Sequence, residues 1–383
     1  MSAPDPAAPF EIFLIAAPGL EELLADEARE AGFADAAVQL GGVAFTGTWP
    51  DVWRANLVLR GATRVLVRIA SFRTMHLAQL DKRARRVPWG TFLRPDLPVA
   101  VEATCRKSKI YHAGAAAQRI KTAITESLGA PIADKAAVTV MLRIEDDLAT
   151  ISLDTSGDPL YQRGHKQAVN RAPMRETMAA LFLRQSGYSG TEPVLDPMCG
   201  SGTFVIEAAE WAMGLLPGRD RHFAFENFAG FDPAGLATMR KASGSPSASL
   251  RFCGSDRDAG AVAMSRENAD RAGVAETTCF TETDIADLQR PDGPPGLIIC
   301  NPPYGLRISG KGSGKGKGTS PELKALYARF GAVLRERFSG WRVAFVTTDR
   351  QLAEATGLPL LPPDPPVLHG GIRIALYRTR PLP

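Results

Sequence analysis

No run of apolar residues approaches the roughly 18 needed to cross a bilayer, and the opening stretch MSAPDPAAPF lacks the basic and apolar regions of a secretory leader. Both absences lead to the expectation of a cytoplasmic protein with no membrane partner. Cysteine is scarce: Cys105, Cys199, Cys253, Cys279 and Cys300 are scattered, odd in number and never spaced C-x-x-C. Such a set is expected to be free buried thiols of a reducing compartment, and it gives no support to a zinc site or to any other metal. Acidic residues are nearly missing from one stretch. Residues 54–121 hold fifteen Lys and Arg against Asp81, Asp96 and Glu102, a balance of +12, whereas residues 1–53 balance at −8. The modest net charge of +4 therefore conceals a strongly positive segment, with Trp89 and Tyr111 among its basic residues, a composition suited to phosphates and some stacking.

Two further absences narrow the cofactor. The stretch VLDPMCGSGTFVIEAA joins a strand, a Gly-x-Gly turn and a helix start, as a nucleoside-type ligand requires. A dinucleotide fingerprint needs a third glycine three places on, and Val205 stands there. A P-loop needs Gly-Lys-Ser/Thr, and the turn runs into Thr203 and Phe204 instead. What remains is a cofactor with a cationic centre, an amino-acid end and a ribose. Asp196, Asp256 and Asp284, at the ends of three successive strands, are suitable partners. Asp256 is placed to accept from both ribose hydroxyls and Asp284 to accept from an adenine amine.

The 383 residues leave room for two or three cores. PGLEELLADEAREAGF (18–33) reads as a helix closed by Gly32, LPVAVEATC as a strand, YHAGAAAQRIKTAITESLG as a helix, and AAVTVMLRIEDDLATISLD as a hairpin turning at Glu145–Asp147. These suggest small α+β units. From residue 193 the rhythm changes to strand, glycine-rich turn, helix, the pattern of a doubly wound, mostly parallel sheet with ligands at the carboxyl ends of its strands. The stretch 153–180 has the composition of a boundary, and SGKGSGKGKGTS (309–320) is a cationic low-complexity insert.

DPMCGSGT, GSDRD and NPPYG, in that order, resemble the class I S-adenosylmethionine-dependent methyltransferases, and specifically the RNA guanine-N2 methyltransferases that carry an amino-terminal THUMP domain. GLEELLADEAREAG, NLVLRGATRVL, LDTSGDPLYQRG and APMRETMAA extend the resemblance over nearly the whole chain, in the order found in the amino-terminal half of the bacterial large-subunit ribosomal RNA guanine-N2 methyltransferases. The resemblance implies a ferredoxin-like α+β subdomain over 1–65, a THUMP RNA-binding domain over 66–158 and a Rossmann-like α/β methyltransferase domain over 159–383. It implies S-adenosylmethionine held by Asp196, Pro197, Met198, Cys199, Gly200, Ser201, Gly202 and Thr203 at its methionine end, Asp256 at its ribose and Asp284 at its adenine. Arg163, Ala172 and Pro173 resemble the loop over the cofactor, although the family writes Arg-Gly-Tyr-Arg where this chain has Arg163-Gly164-His165-Lys166. Arg106, Lys107, Lys109, Arg119 and Lys121 are the expected RNA contacts of a monomer.

NPPY then acquires a chemical reading. An exocyclic amine is a poor nucleophile because its lone pair is delocalised into the ring. With Asn301 Oδ1 and the Pro302 carbonyl accepting its hydrogens, the nitrogen turns towards tetrahedral geometry; Asn301 thus also borders the cofactor. Tyr304 is expected to stack on the base, and Pro302 and Pro303 to fix the direction of the acceptors. The same four residues occur in adenine-N6 methyltransferases, so the motif selects an amine on a planar ring. The resemblance of the amino-terminal half favours guanine N2, in large-subunit ribosomal RNA before transfer RNA. An adenine-N6 enzyme and a non-catalytic RNA-binding assembly factor are the remaining alternatives.

Overall fold

The apolar stretches FEIFLIAA and GGVAFTG become neighbouring strands whose residues alternate between two faces. The computed structural model describes residues 9–167, 174–241, 250–304 and 320–383. They form two units: one within residues 1–16, 24–160 and 218–242, the other within 17–23, 161–217 and 243–383. The first unit carries strands β1 (Phe10–Ile15), β2 (Ala37–Gln39), β3 (Gly42–Gly47), β4 (Arg64–Arg73), β5 (Val99–Arg106), β6 (Val138–Glu145) and β7 (Leu148–Asp154). They make one sheet in the order β2-β3-β1-β4-β7-β6-β5, in which β5 and β6 run parallel and the other pairs antiparallel.

The expected division at residues 65 and 66 falls inside β4, so the ferredoxin-like and THUMP stretches share a continuous ladder. The hairpin between β6 and β7 turns where the sequence places it. Asp146 and Asp147 take φ of 49° and 62°, the left-handed pair that a two-residue turn between twisted strands demands. Residues 218–242 lie within the stretch expected for the methyltransferase domain yet pack with the first unit. Their aromatic side chains explain this: Trp53 packs on Phe225 at 6.3 Å and Phe231 at 5.8 Å, and Trp49 on Phe228 at 5.8 Å. Trp89 is also a correction. It is 1% exposed and donates through Nε1 to the Ala84 carbonyl, so it belongs to the core and offers no surface for stacking.

The second unit carries β8 (Val194–Asp196), β9 (Phe252–Asp256), β10 (Thr278–Glu282), β11 (Leu297–Cys300), β12 (Arg342–Thr347), β13 (Val367–His369) and β14 (Ile372–Arg378). Their order is β10-β9-β8-β11-β12-β14-β13; the first five are parallel, and β14 runs antiparallel to both its neighbours. The strand order reverses beside β8, between β9 and β11, which is where a doubly wound sheet opens a crevice. Helices Glu176–Gln185, Thr203–Ala212, Ala259–Arg271 and Pro321–Arg337 cover this sheet. Among the described residues, no helix is long and apolar enough to cross a membrane.

The expectation of five free thiols needs correction. Cys253 and Cys279 are joined as a disulfide, because the parallel register of β9 and β10 sets them side by side with Cα atoms 4.6 Å apart. A separation of 26 residues hides that pairing from any spacing rule. Cys199 and Cys300 are buried free thiols, and Cys105 is half-buried.

The stretch LDTSG acquires a structural task. Asn56, buried on the helix Trp49–Val58, donates to the Val52 carbonyl and to Thr155 Oγ1 and accepts from Ser156 Oγ, while Val65 N donates to Ser156 Oγ. Three polar side chains thus satisfy one another inside an apolar surround. Truncating one strands its partners, so Asn56→Ala is expected to cost about 2–4 kcal/mol. The measurement is the urea midpoint of the first unit's transition, and an unchanged midpoint would mean that water replaces the amide without loss.

Candidate functional site

Four strand ends meet at one edge of the second sheet. Asp196 closes β8, Asp256 closes β9, Asp284 follows β10 by two residues and Asn301 follows β11 directly. Because β9, β8 and β11 are neighbours, Asp256, Asp196 and Asn301 stand in that lateral order.

The turn after β8 is held from behind. Gly200 N donates to Asp256 Oδ2 at 3.0 Å, and Cys199 N donates to the Ser255 carbonyl at 2.9 Å. Ser265 Oγ donates to the Gly200 carbonyl and Asn268 Nδ2 to the Ser201 carbonyl, both from the helix Ala259–Arg271. Gly202 has φ +81°, and a Cβ there would lie 3.1 Å from Ser265 Oγ; the turn and the helix approach too closely for a side chain. Gly254 on β9 is equally constrained, since a Cβ would meet the Phe280 ring at 2.7 Å. Pro197, Met198, Ser201 and Thr203 complete the turn, with Met198 N donating to Asp196 Oδ1 at 3.0 Å.

Burial pushes the Asp196 carboxyl well above the ordinary carboxylate value; the Met198 N–H opposes this and repulsion from Asp256 adds to it. Among the described residues Asp196 has no cationic partner. Asp256 takes N–H groups from Gly200 and Asp258 on its two oxygens, and each oxygen keeps a second lone pair for a hydroxyl. Asp284 caps a short 3-10 turn, accepting from Ala286 N, and lies 4.0 Å from Arg329. A buried carboxylate that wants positive charge, next to one that can still accept, fits a ligand with a cationic centre, an amino-acid end and a ribose.

Asn301 Oδ1 is buried and, among the described residues, takes no hydrogen bond. Pro302 is buried, and the Pro303 carbonyl accepts from Tyr327 Oη at 3.4 Å. Tyr304 is 1% exposed, so a base stacking on its ring has first to displace what covers it. Arg163 is buried against Glu207 at 3.3 Å, on the side of the helix Thr203–Ala212. Ala172, Pro173 and residues 305–319 lie outside the described residues, and with them nearly all of the insert 309–320. Ser265, Asn268 and Tyr327 escaped the sequence reading. A signal existed for the first two, a Ser and an Asn three apart on the apolar stripe of a helix; Tyr327 was hidden among core residues at helical spacing.

In the first unit, Arg106, Lys107 and Lys109 cluster at the end of β5, before the helix Ala113–Leu128, beside an 84% exposed Tyr111. Much of the remaining positive segment is neutralised in place: Arg64 pairs with Asp154, Arg85 with Asp81 and Glu126, and Arg94 with Asp96. Lys121 lies 3.9 Å from Asp134, whereas Arg119 is exposed and, among the described residues, forms no ion pair. No group of three or more His, Cys, Asp or Glu among the described residues is arranged to hold a metal.

A family model described as the RMKL-like methyltransferase domain matches residues 163–359. The RlmL ferredoxin-like domain matches residues 11–66 and the THUMP domain residues 76–154. Solved structures are similar over nearly the whole length. A possible methylase from Clostridium difficile 630 is 27% identical, with a TM-score of 0.87 over 98% of this chain and 99% of that one. SMU.472, described as a methyltransferase and complexed with SAH, is 25% identical, with a TM-score of 0.86 over 98% and 99%. A protein from Listeria monocytogenes str. 4b F2365, described as a predicted N6-adenine-specific DNA methylase, is 26% identical, with a TM-score of 0.84 over 97% and 96%.

The raised Asp196 pKa has a measurable consequence. Without a ligand the folded chain keeps that proton above pH 3.8, so the associated stability is full below this value and is lost as pH climbs through the raised pKa. A cationic ligand beside the carboxylate lowers its pKa again and expels the proton. Binding of S-adenosylmethionine is therefore expected to release a proton and to tighten as pH rises towards the raised pKa. Calorimetry in two buffers of different ionisation heat reads the release; equal heats, or the same difference in Asp196→Asn, would overturn the assignment.

Proposed function

The chain belongs to the RMKL-like methyltransferase family, and from that premise we propose that it methylates the exocyclic N2 amine of a guanine in RNA, with large-subunit ribosomal RNA as the substrate. S-adenosylmethionine is its cofactor, as the family and a relative complexed with SAH indicate. When bound, it supplies an activated methyl group on a cationic sulfur. Asp196 and the turn 197–203 would hold its amino-acid end, Asp256 its ribose and Asp284 its adenine.

The observation that carries the reading is the buried Asn301 Oδ1 at the end of β11, which has no hydrogen-bond partner among the described residues. A buried acceptor left unsatisfied is costly, and a substrate N–H is the partner it lacks. Asn301 Oδ1 and the Pro302 carbonyl would take the two amine hydrogens, leaving the lone pair aimed away from the ring. As positive charge grows on the nitrogen, both oxygens oppose it more favourably than in the ground state. Tyr327, holding the Pro303 carbonyl, keeps the Asn-Pro-Pro-Tyr backbone in place. Neither Cys199 nor Cys300 serves as a nucleophile; burial raises both thiols well above their ordinary value.

The THUMP match and the exposed Arg106, Lys107, Lys109 and Tyr111 support RNA as the partner, with Arg119 and Lys121 in the same domain. The match of residues 11–66 to the RlmL ferredoxin-like domain supports ribosomal RNA over transfer RNA. In this reading residues 66–158 bind RNA, residues 159–383 carry the cofactor and the chemistry, and the chain works as a cytoplasmic monomer. The adenine-N6 alternative draws on the description of the Listeria protein, and the product nucleoside decides between them.

Two measurements test the proposal. Asn301→Ala is expected to slow single-turnover methyl transfer about 100- to 1,000-fold with little change in RNA affinity. A wild-type rate would remove Asn301 from the site, and N6-methyladenosine as product would replace guanine by adenine. Replacing Arg106, Lys107 and Lys109 together by Ala is expected to reduce the slope of log affinity against log salt by about 2–3. An unchanged slope would move the RNA surface elsewhere.

A further inference from the structure

Residues 163–166 pack on the helix Thr203–Ala212. Arg163 lies 3.3 Å from Glu207 and His165 lies 3.9 Å from Glu210, while Lys166 reaches Thr203 Oγ1 at 2.9 Å. Thr203, Glu207 and Glu210 are at i, i+4 and i+7 of the helix Thr203–Ala212, so the three basic residues line one face of the helix that leaves the Gly200–Gly202 turn. Arg271 fastens the segment from the other side by donating from Nε to the His165 carbonyl at 2.7 Å.

Lys166 differs from the other two in what it joins. Its ammonium donates to the Met174 carbonyl at 2.8 Å and to Thr203 Oγ1 at 2.9 Å, and it forms an ion pair with Glu176, whose Oε1 lies 3.1 Å away. The side chain is only 9% exposed. Thr203 and Glu176 are the first residues of the helices Thr203–Ala212 and Glu176–Gln185. One buried ammonium therefore ties together the starts of two helices, one of which begins at the ligand-facing turn. A buried charge held by two hydrogen bonds and one ion pair is geometrically demanding, and removing it leaves the Glu176 carboxylate buried without its cation.

We propose that Lys166 is a positioning residue for the cofactor: it touches no ligand and fixes Thr203, and with it the backbone donors at the exit of the Gly200–Gly202 turn. This rests on the cofactor reading above. Arg163, expected from the sequence to contact the cofactor, belongs to the same clamp through Glu207. A displaced turn presents its N–H groups at the wrong distance, and the loss falls on cofactor affinity, leaving RNA affinity unaffected.

The test is calorimetric binding of S-adenosylhomocysteine to the full chain, with the KM for S-adenosylmethionine measured alongside. Lys166→Met, similar in length but uncharged, is expected to weaken binding about 10- to 100-fold and to raise that KM in proportion, while the KM for RNA stays constant. Lys166→Arg, which keeps the charge and several donors, is expected to stay within about threefold of wild type. Thr203→Val removes the partner oxygen at nearly constant volume, and its loss combined with that of Lys166→Met should be less than the product of the two. It also carries the test if Lys166→Met does not fold. Wild-type affinity in both Lys166→Met and Thr203→Val, or losses that simply multiply, would overturn the proposal. A wild-type chain that fails to bind S-adenosylhomocysteine would instead overturn the cofactor reading.

Discussion

Backbone N–H groups can meet a ligand only where side chains do not intervene, and a turn stripped of side chains needs support from elsewhere to keep its shape. The stretch Gly200-Ser201-Gly202 is in that position, and much of the second unit is organised around it. Its carbonyls are taken by Ser265 and Asn268, and the Gly200 N–H by Asp256. Each of those partners is delivered by a different constraint. Gly254 lets β9 pass close beneath, the buried face of the helix Ala259–Arg271 supplies the serine and the asparagine, and the parallel register of β8 and β9 brings Asp196 opposite Gly254. The turn is a small part of the chain whose geometry is set by three larger elements.

The same unit handles buried charge in two ways. Glu176, Glu207 and Glu210 are buried and each has a basic side chain within 4 Å, which is the usual condition for keeping a charge out of water. Asp196 is as deeply buried, yet among the described residues it has a backbone N–H and a neighbouring carboxylate and no cation. The contrast within one unit is informative. A fold able to pair three glutamates with basic residues leaves a fourth carboxylate unpaired at the edge where the strands end. In the proposed reading the cationic cofactor would be its complement, and its arrival would favour the ionised form of the carboxyl that burial now disfavours.

The second sheet was legible because its elements follow one another as strand, turn and helix, so each chemistry-bearing residue sits just after an apolar run. Asp196, Asp256 and Asn301 could be placed at strand ends from that rhythm alone. The first unit was less legible. Its sheet is continuous through β4, so no composition change marks the expected junction at 65 and 66, and residues 218–242 return to it through aromatic contacts separated by well over a hundred residues in sequence. Trp89 looked like a stacking residue because arginines surround it in sequence; its indole N–H found a carbonyl inside the core. Cys253 and Cys279 illustrate the same limit, since register pairs them and spacing does not. Charge counting overestimated the free positive surface of residues 54–121, because ion pairs with acids outside that stretch, such as Arg64 with Asp154 and Arg85 with Glu126, cannot be read from a local tally.

The question of why an amide stands at position 301 has an answer in its neighbours. Asp196, on the adjacent strand, shows what happens to a carboxyl buried at this edge: it is pushed towards the protonated form. Cys300, one residue before Asn301, is pushed up by the same burial and by Asp196 itself. An aspartate at 301 would meet that burial and the repulsion of Asp196 together, and once protonated it would present a hydroxyl donor where an acceptor is needed. A glutamine would carry the oxygen one carbon further from the prolines that fix its direction. The asparagine oxygen accepts at every pH in the physiological range and adds no charge beside Asp196. In the proposed reaction its neutrality would let it stabilise a nitrogen that is becoming cationic without being basic enough to remove the proton early. In that proposal the oxygen would select a planar amine and be indifferent to the ring that bears it, so the choice between guanine and adenine would fall to groups that read the ring edge, away from Asn301.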